Sequence, residues 1–554
     1  MAIAKTTAKS NEKDPKKPKE GTFKRAIILT LHQFLEHTTI HGSKHIIEPR
    51  ANAYTKCFWI LLIIISFACA VALMTTFLIR YKSNPTRINI DTNFGPISEI
   101  EFPAVTFCNP NFIADSMVLG LINSLEKFDD ADGYGNISTT DLTKRIKYLA
   151  GFTNSINKFK SEELDEVFDI LNYNRFDVKL TMKKLMYPCN KLLYRCQWEG
   201  QIMDCKKLFQ VSETYQGYCC SFNVVKPLKA TSSDERGKTA RKTHFFGPDM
   251  GLSVVLNPLI EKNSLTSVNS EGIKILINEC NLYPSEKTIE RMLPHRQETF
   301  VEIRPERTIS SKAVTALPIS DRGCVFENEF KLRFFPEYRE VNCQVECVME
   351  QTMKLCECLP YFYYNTENIE LCDISKLDCI VSNREVLKKI KAPEKNHTKE
   401  SCTCPSQCES TSYSIRMSST DIIPEMSRTV NVDPFHANLT DKHMIVHVYY
   451  VSQFYRVFIR SLLTNFISLI SNLGGVYSLL VGMSIISAYE CIYFPTARLY
   501  LNYKKIKNED NKPKTFSQRL EKVNINVIKV PRLDTAKSDI SDISSFRVHS
   551  LSHY

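Results

Sequence analysis

SNLGGVYSLLVGMSIISAYE, residues 471–490, lies inside a long apolar run from about Val457 to Phe494. About twenty apolar residues are enough to cross a bilayer. Glycine interrupts the run at Gly474, Gly475 and Gly482, and each interior Gly costs a helix up to about 1 kcal/mol relative to Ala. Ser471, Gly475, Ser478 and Gly482 recur at helical spacing and share one face. A stripe without bulk lets helices approach closely or lets water and ions pass. The bland alternative is a tight helix–helix contact. Gly482-Met483-Ser484 favours a pore, because broken backbone inside a membrane survives only where it is buried or lines a cavity.

The rest of the chain follows from that span. A second apolar segment, Cys57–Ile79, is followed by Arg80 and Tyr81. The formal net charge of +10 is concentrated at the ends: residues 1–56 and 498–554 carry +6 each, and the remainder carries −2. Basic ends beside membrane spans place both termini in the cytosol and outweigh a nucleic-acid reading. Residues 1–26 lack an apolar core, so no cleaved signal peptide is expected. The expected layout is a cytosolic tail (1–56), a first span (57–79), an extracellular domain (80–456), a second span (457–495) and a cytosolic tail (496–554). The sequons at Asn136, Asn396 and Asn438 and seventeen of the twenty cysteines lie between the spans. That predicts glycosylation, disulfides rather than zinc ligands, and no metal site.

Within the N-terminal tail, Phe23, Ile27, Ile28, Leu31 and Leu35 predict an amphipathic membrane-surface helix, followed by His41-Gly42. Residues 97–109 read as a strand, with Pro103 suggesting a sheet edge. Residues 111–190 read as helical, 251–257 and 272–277 as strands, and 445–451 as the last strand before the second span. Cys343 and Cys347 fall four apart on a predicted helix, a rise of about 6 Å. Cys402 and Cys404 are two apart in an extended segment, which covers about the same distance. The matched spacing favours antiparallel rungs Cys343–Cys404 and Cys347–Cys402, with Cys324–Cys408 below them, in a ladder over 324–408. Cys356, Cys358, Cys372 and Cys379 are left for two more bridges of open connectivity.

Several motifs together carry a resemblance: His41-Gly42, FPAVTFCN (102–109), GYCCSFN (217–223), GLSVVLN (251–257) and Leu317-Pro318 before Cys324. To these add the Tyr338, Cys343, Cys347, Cys356, Cys358 array, CTCPSQCESTSYS (402–414) and LGG…GMS in the second span. The chain resembles the degenerin/epithelial sodium channel/acid-sensing ion channel superfamily. CQWEG (196–200) and RGCVFENEF (322–330) make it most similar to the arthropod pickpocket branch.

The resemblance implies a trimer of related subunits, homomeric or heteromeric, each with two transmembrane helices. It implies a disulfide-rich α+β ectodomain of palm, thumb, finger, knuckle and β-ball. It further implies a plasma-membrane, sodium-selective, voltage-independent pore blocked by amiloride, needing no cofactor, and gated by an extracellular chemical or mechanical stimulus in a sensory or osmoregulatory setting. By the same resemblance Gly482, Met483 and Ser484 form the selectivity filter, Ser471 is the degenerin site in the pore with Asn472, Gly474, Gly475 and Ser478 around it, and His41 and Gly42 act in gating. The bridges it implies are Cys108–Cys219, Cys196–Cys205, Cys324–Cys408, Cys343–Cys404, Cys347–Cys402, Cys356–Cys379 and Cys358–Cys372.

Three departures stand out. Asn472 occupies a place where many relatives have Asp, and Ile88 and Asn93 replace the His/Asp pair of proton-gated members. Cys189, Cys220 and Cys280 exceed the common set, which predicts one further bridge and one odd cysteine. Glu490, the only acid of the second span, is placed at the inner mouth to concentrate cations, against the alternative of an interfacial snorkelling residue. Rival readings are a non-conducting subunit of a heteromeric channel, an ATP-gated trimeric channel, an adhesion or scavenger receptor, and an ectoenzyme. Neither a nucleophile elbow nor a metalloprotease motif is present, so no enzyme is expected.

Overall fold

The computed structural model describes residues 20–125, 138–153, 161–227, 239–258, 265–266, 270–390, 403–423 and 434–511. The chain forms two compact units, one from residues 1–76 and 469–554 and one from Phe77–Ser468.

The smaller unit is helical. It holds α1 (Glu20–His37), α2 (Ser43–Ile47) and most of α3 (Ala53–Ser83). From the C-terminal side it takes most of an upper helix, Phe466–Val481, then a lower helix, Ile485–Tyr493, a π-helical turn, Phe494–Arg498, and a last helix, Leu499–Asp510. Among the described residues α3 is the one helix long and apolar enough to cross a bilayer by itself; the upper and lower segments reach that length only together, across a 69° bend. The second span was expected from residue 457, but Val457–Leu462 belongs to a strand. There Arg456 and Arg460 alternate with apolar side chains, a period-2 pattern that hydropathy averages away.

The larger unit contains fifteen strands among the described residues. They are β1 (Thr86–Pro96), β2 (Ala104–Cys108), β3 (Asn111–Ile113), β4 (Leu193–Trp198), β5 (Gln201–Met203), β6 (Phe209–Thr214), β7 (Gly217–Phe222) and β8 (Leu252–Leu256). Then come β9 (Leu265–Thr266), β10 (Gly272–Asn278), β11 (Ile289–Pro294), β12 (Gln297–Ser310), β13 (Ser410–Asp421), β14 (Met444–Tyr450) and β15 (Phe454–Leu462). One sheet runs β1-β15-β12-β14-β8-β4-β5, with β13 also on β12; a second runs β11-β10-β2-β7-β6. The last strand before the helix at Phe466 is therefore β15, not 445–451. It pairs antiparallel with β1, Thr86 opposite Leu462, and the Leu463 N–H donates to the Pro85 carbonyl at 2.8 Å.

The two sheets share one core, in which Phe102 packs on Trp198 and Tyr450 at ring separations of 4.9 and 5.1 Å. Pro103 suggested an edge strand, yet β2 is central and wholly buried. The proline stands one residue before the strand, where its missing N–H removes no ladder bond. Helices at Asp115–Ile122, Thr139–Ile146, Ser161–Tyr173 and Val178–Leu185 form a second core with Tyr361, Phe362 and Leu377.

Seven disulfides join described residues. Six are the expected Cys108–Cys219, Cys196–Cys205, Cys324–Cys408, Cys343–Cys404, Cys356–Cys379 and Cys358–Cys372. The Cys347–Cys402 pairing lies outside the described residues because Cys402 does. Cys343 and Cys347 do sit on one helix, Glu340–Cys356. Its partner segment is not the antiparallel strand expected: residues 403–406 are irregular, with Pro405 directly after Cys404. The segment meets the helix through the Cys343–Cys404 disulfide, and its parallel bridge, Gln407 to Val325, lies beside Cys324 rather than on the helix. The Tyr338 hydroxyl, with its ring buried, donates to the Pro405 carbonyl.

The seventh bridge is Cys189–Cys220, which leaves Cys280 as the odd cysteine. Cys280 is buried, its S–H donates to Glu101 Oε2 at 2.7 Å, and burial together with that carboxylate pushes its thiol up. Cys280→Ser keeps a donor for Glu101 and is expected to leave thermal stability and surface delivery near wild type. Cys220→Ser is expected to lose about 2–4 kcal/mol, read as a lowered unfolding temperature of the detergent-purified chain and weak surface biotinylation. Equal damage from the two variants would overturn this pairing. Of the three sequons, Asn438 is exposed in a left-handed turn; Asn136 and Asn396 lie outside the described residues.

Candidate ion pathway

The helix that starts at Phe466 stops at Val481 because Gly482 turns left-handed, with φ +72°, a conformation that costs residues with a Cβ. The Gly482 N–H still reaches Ser478 O at 3.0 Å, and the Met483 N–H wraps back to Tyr477 O at 3.2 Å. Ser484 then starts the lower helix. Its hydroxyl accepts from the Ser487 N–H at 3.2 Å while its own N–H donates to Ser487 Oγ at 3.0 Å, a capping box with Ser in place of the usual Glu or Gln. Of the two roles expected for the Ser484 hydroxyl, lining the filter or capping the helix break, the folded chain shows the cap.

A break at this place leaves backbone groups to be satisfied. In an unbroken helix the Val481 carbonyl would accept from residue 485; here it accepts from the His41 N–H at 3.0 Å. The His41 ring fills the space beside Gly482, where a Cβ would come within 2.5–2.7 Å of three imidazole atoms. Thr39 continues the lacing. Its hydroxyl bonds the Ser487 hydroxyl, and its N–H donates to Glu490 Oε2 at 3.4 Å. On its other side the loop meets α3. Gly42 has φ +81°, a Cβ there would press the Trp59 ring at 3.1 Å, and His45 stacks on Trp59 at 4.4 Å. His41-Gly42 and Gly482-Met483-Ser484, some 440 positions apart in the chain, thus form one junction inside the smaller unit.

The remaining expected residues lie elsewhere. Ser471, Asn472, Gly474, Gly475 and Ser478 are exposed along the upper helix, and a Cβ on Gly474 or Gly475 would meet nothing within 4 Å in this chain. Glu490 binds the Thr39 amide rather than standing free. Thr39, Val481 and Ser487 were not singled out from sequence. Only the Ser-x-x-Ser spacing of 484–487 hinted at a cap, and Ser at the fourth place is a weak form of that signal.

Helix α1, expected as an amphipathic surface helix, also packs on a second helix through its other face. It runs antiparallel to Leu499–Asp510, with Asn502 Nδ2 donating to Thr30 Oγ1 and Gln33 Oε1 at 2.9 Å each. Arg498 Nε donates to Gln33 at 3.0 Å, and Arg25 pairs with Asp510 at 3.3 Å. The packed face is Thr22, Ala26 and Thr30, all buried, while the apolar face of Phe23, Ile27, Ile28 and Leu31 stays exposed. Small residues at four-residue spacing allow close helix contact, which outweighs an apolar stripe in choosing the intramolecular face.

The sequence model of the family described as amiloride-sensitive sodium channel matches residues 34–494. The sodium channel protein Nach of Drosophila melanogaster is 31% identical over 489 residues, covering 86% of this chain and 88% of that protein. Pickpocket protein 28 of the same species is 23% identical, covering 87% of this chain and 80% of its own length. The human bile acid-sensitive ion channel is 24% identical, covering 85% and 86% respectively.

Proposed function

Because this chain belongs to the amiloride-sensitive sodium channel family, whose members are ion channels and not enzymes, we propose that it is a pore-forming subunit of a sodium-selective, voltage-independent, amiloride-blocked cation channel. The observation that carries this reading is the break at Gly482–Ser484, held open by a loop from the other end of the chain. A constriction of this kind selects ions by replacing part of the hydration shell with backbone and hydroxyl oxygens, and it needs no cofactor. Gly482 and Met483 supply that backbone, and Ser484 fixes it by starting the lower helix. The bare face of Ser471, Gly474, Gly475 and Ser478 suits packing against the same face of other subunits, as in a homomeric or heteromeric trimer. In this reading α3 and the broken helix are the two spans, and both ends face the cytosol from the plasma membrane. His41 and Gly42 gate by moving with the lower helix, and Glu490 couples the inner mouth to the same loop. The stimulus is extracellular and chemical or mechanical, in a sensory or osmoregulatory cell.

Voltage clamp of oocytes expressing the chain alone tests this, comparing wild type with Ser471→Val. The bulkier side chain on the exposed face is expected to hold the pore open and give a constitutive inward sodium current that amiloride blocks. Silence with normal surface biotinylation, persisting when a related subunit is co-expressed, would sink the pore-forming role. A current restored only by co-expression would assign the chain to a heteromeric channel.

A further inference from the structure

Strands β12 and β14 run parallel, with Glu298 opposite Ile445 and Phe300 opposite His447. Glu298 and His447 are therefore diagonal neighbours on one sheet face. His447 Nε2 lies 2.9 Å from Glu298 Oε1, and a third group joins them: His436, at the end of the short turn Pro434–His436, puts its Nε2 3.4 Å from the same oxygen. That turn is held in place from below. Arg195 donates to the carbonyls of Pro434, Phe435 and Ala437 at 2.8, 2.6 and 3.0 Å. On the far side of the ring, His447 Nδ1 bonds Ser253 Oγ, a buried hydroxyl, at 2.7 Å, and Phe300 stacks on the imidazole at 4.9 Å.

We infer that Glu298, His436 and His447 form a binding site for one zinc-class divalent ion in the larger unit. Two imidazoles and a carboxylate are the donor set that borderline transition ions take, whereas calcium and magnesium prefer oxygen alone. Metal–ligand bonds of about 2.0–2.1 Å in a tetrahedron put donor atoms about 3.3 Å apart. The donor atoms here stand 2.9 and 3.4 Å from the shared carboxylate oxygen, and all lie within 4.8 Å of one another. Small rotations of His436 bring a single ion within reach of all three. The Ser253 contact is the outer support that fixes the ring plane of a ligating histidine and leaves Nε2 for the metal. Exposure also suits the role. His447 is nearly closed off at 5% side-chain exposure, while Glu298 and His436 are reachable at 24% and 31%. An ion can thus arrive from one side and leave a fourth position for water.

The test uses the full chain purified in detergent with its disulfides intact. Zinc uptake by equilibrium dialysis is compared between wild type, His436→Gln and Glu298→Gln, and cobalt(II) serves as the spectroscopic probe. Wild type is expected to hold one more zinc per chain than either variant, with affinity at that site reduced at least about tenfold in each. Cobalt should give the visible bands of a tetrahedral nitrogen and oxygen site. His436 is only half-buried, and ion-free circular dichroism identical to wild type verifies that its variant is folded. Equal zinc in wild type and both variants, or cobalt bands of thiolate origin that alkylation of free cysteines removes, would overturn the assignment.

Discussion

Gly482→Ala is expected to abolish the amiloride-sensitive current while leaving the ectodomain folded. Two costs fall on one atom. The left-handed backbone, φ +72°, charges a Cβ-bearing residue about 1–2 kcal/mol. The new methyl would also stand 2.5–2.7 Å from Cδ2, Cγ and Nε2 of His41, so the ring must leave or the bend must open. Either movement pulls on the His41 N–H that satisfies the Val481 carbonyl, and a backbone group left without a partner inside a membrane costs several kcal/mol. The two positions are therefore coupled. In a His41→Ala background the clash disappears while the backbone N–H stays, and the added loss from Gly482→Ala should shrink by about tenfold or more in current. The comparison belongs in the Ser471→Val channel, with surface biotinylation on the same oocytes. A full current from the Gly482→Ala channel would mean that neither the left-handed turn nor the imidazole contact matters for conduction.

Gly251→Ala is expected to keep the protein from the cell surface, by a different route. Gly251 has φ −94°, which alanine adopts freely, so no backbone penalty applies. The obstacle is space. A Cβ would press into the Val448 carbonyl oxygen and come within 2.7 and 2.9 Å of Tyr449 Cβ and Cα. These are backbone neighbours on β14 that cannot rotate away. Relief requires shifting β14 from β8, the pairing that runs from Leu252–Val448 to Leu256–Met444 through the main core. Overpacking of this kind costs about 3 kcal/mol or more. The expected readout is retention in the endoplasmic reticulum with immature glycans. The control is Gly120→Ala in the helix Asp115–Ile122, where a Cβ meets nothing within 4 Å and alanine favours the helix. Normal delivery of the Gly251 variant would show that β14 can yield.

What could be read from the sequence followed from local chemistry. The glycine and serine positions of 471–484 marked a broken, close-packed segment, and the break falls there. Cys343 and Cys347 were expected on one helix, and that helix is present. Where the sequence misled, pairing partners far along the chain decided the outcome. Val457–Leu462 is apolar enough for a span, but β1 and β12 supply its backbone partners. Pro103 looked like an edge marker, but the proline precedes the strand it was thought to interrupt. The lacing of Thr39 to Ser487 and Glu490 joins residues about 450 positions apart, for which no spacing exists to read. The cluster of Glu298, His436 and His447 escaped for the same reason: it is assembled by sheet register and by a turn that Arg195 holds.

The ladder between β1 and β15 has a mechanical consequence. Its eight paired positions begin at Thr86 and Leu462, close to where the chain leaves for α3 and for the helix at Phe466. Prising the two exits apart would tear the ladder one rung at a time from its end, the direction in which such a fastening is weakest. Pulling both exits the same way moves the two strands together, sparing the rungs between them and loading the parallel bonds from β15 to β12 instead. The ribbon is therefore frail against splitting, while under concerted traction β1 and β15 travel as one piece and β12 carries the load.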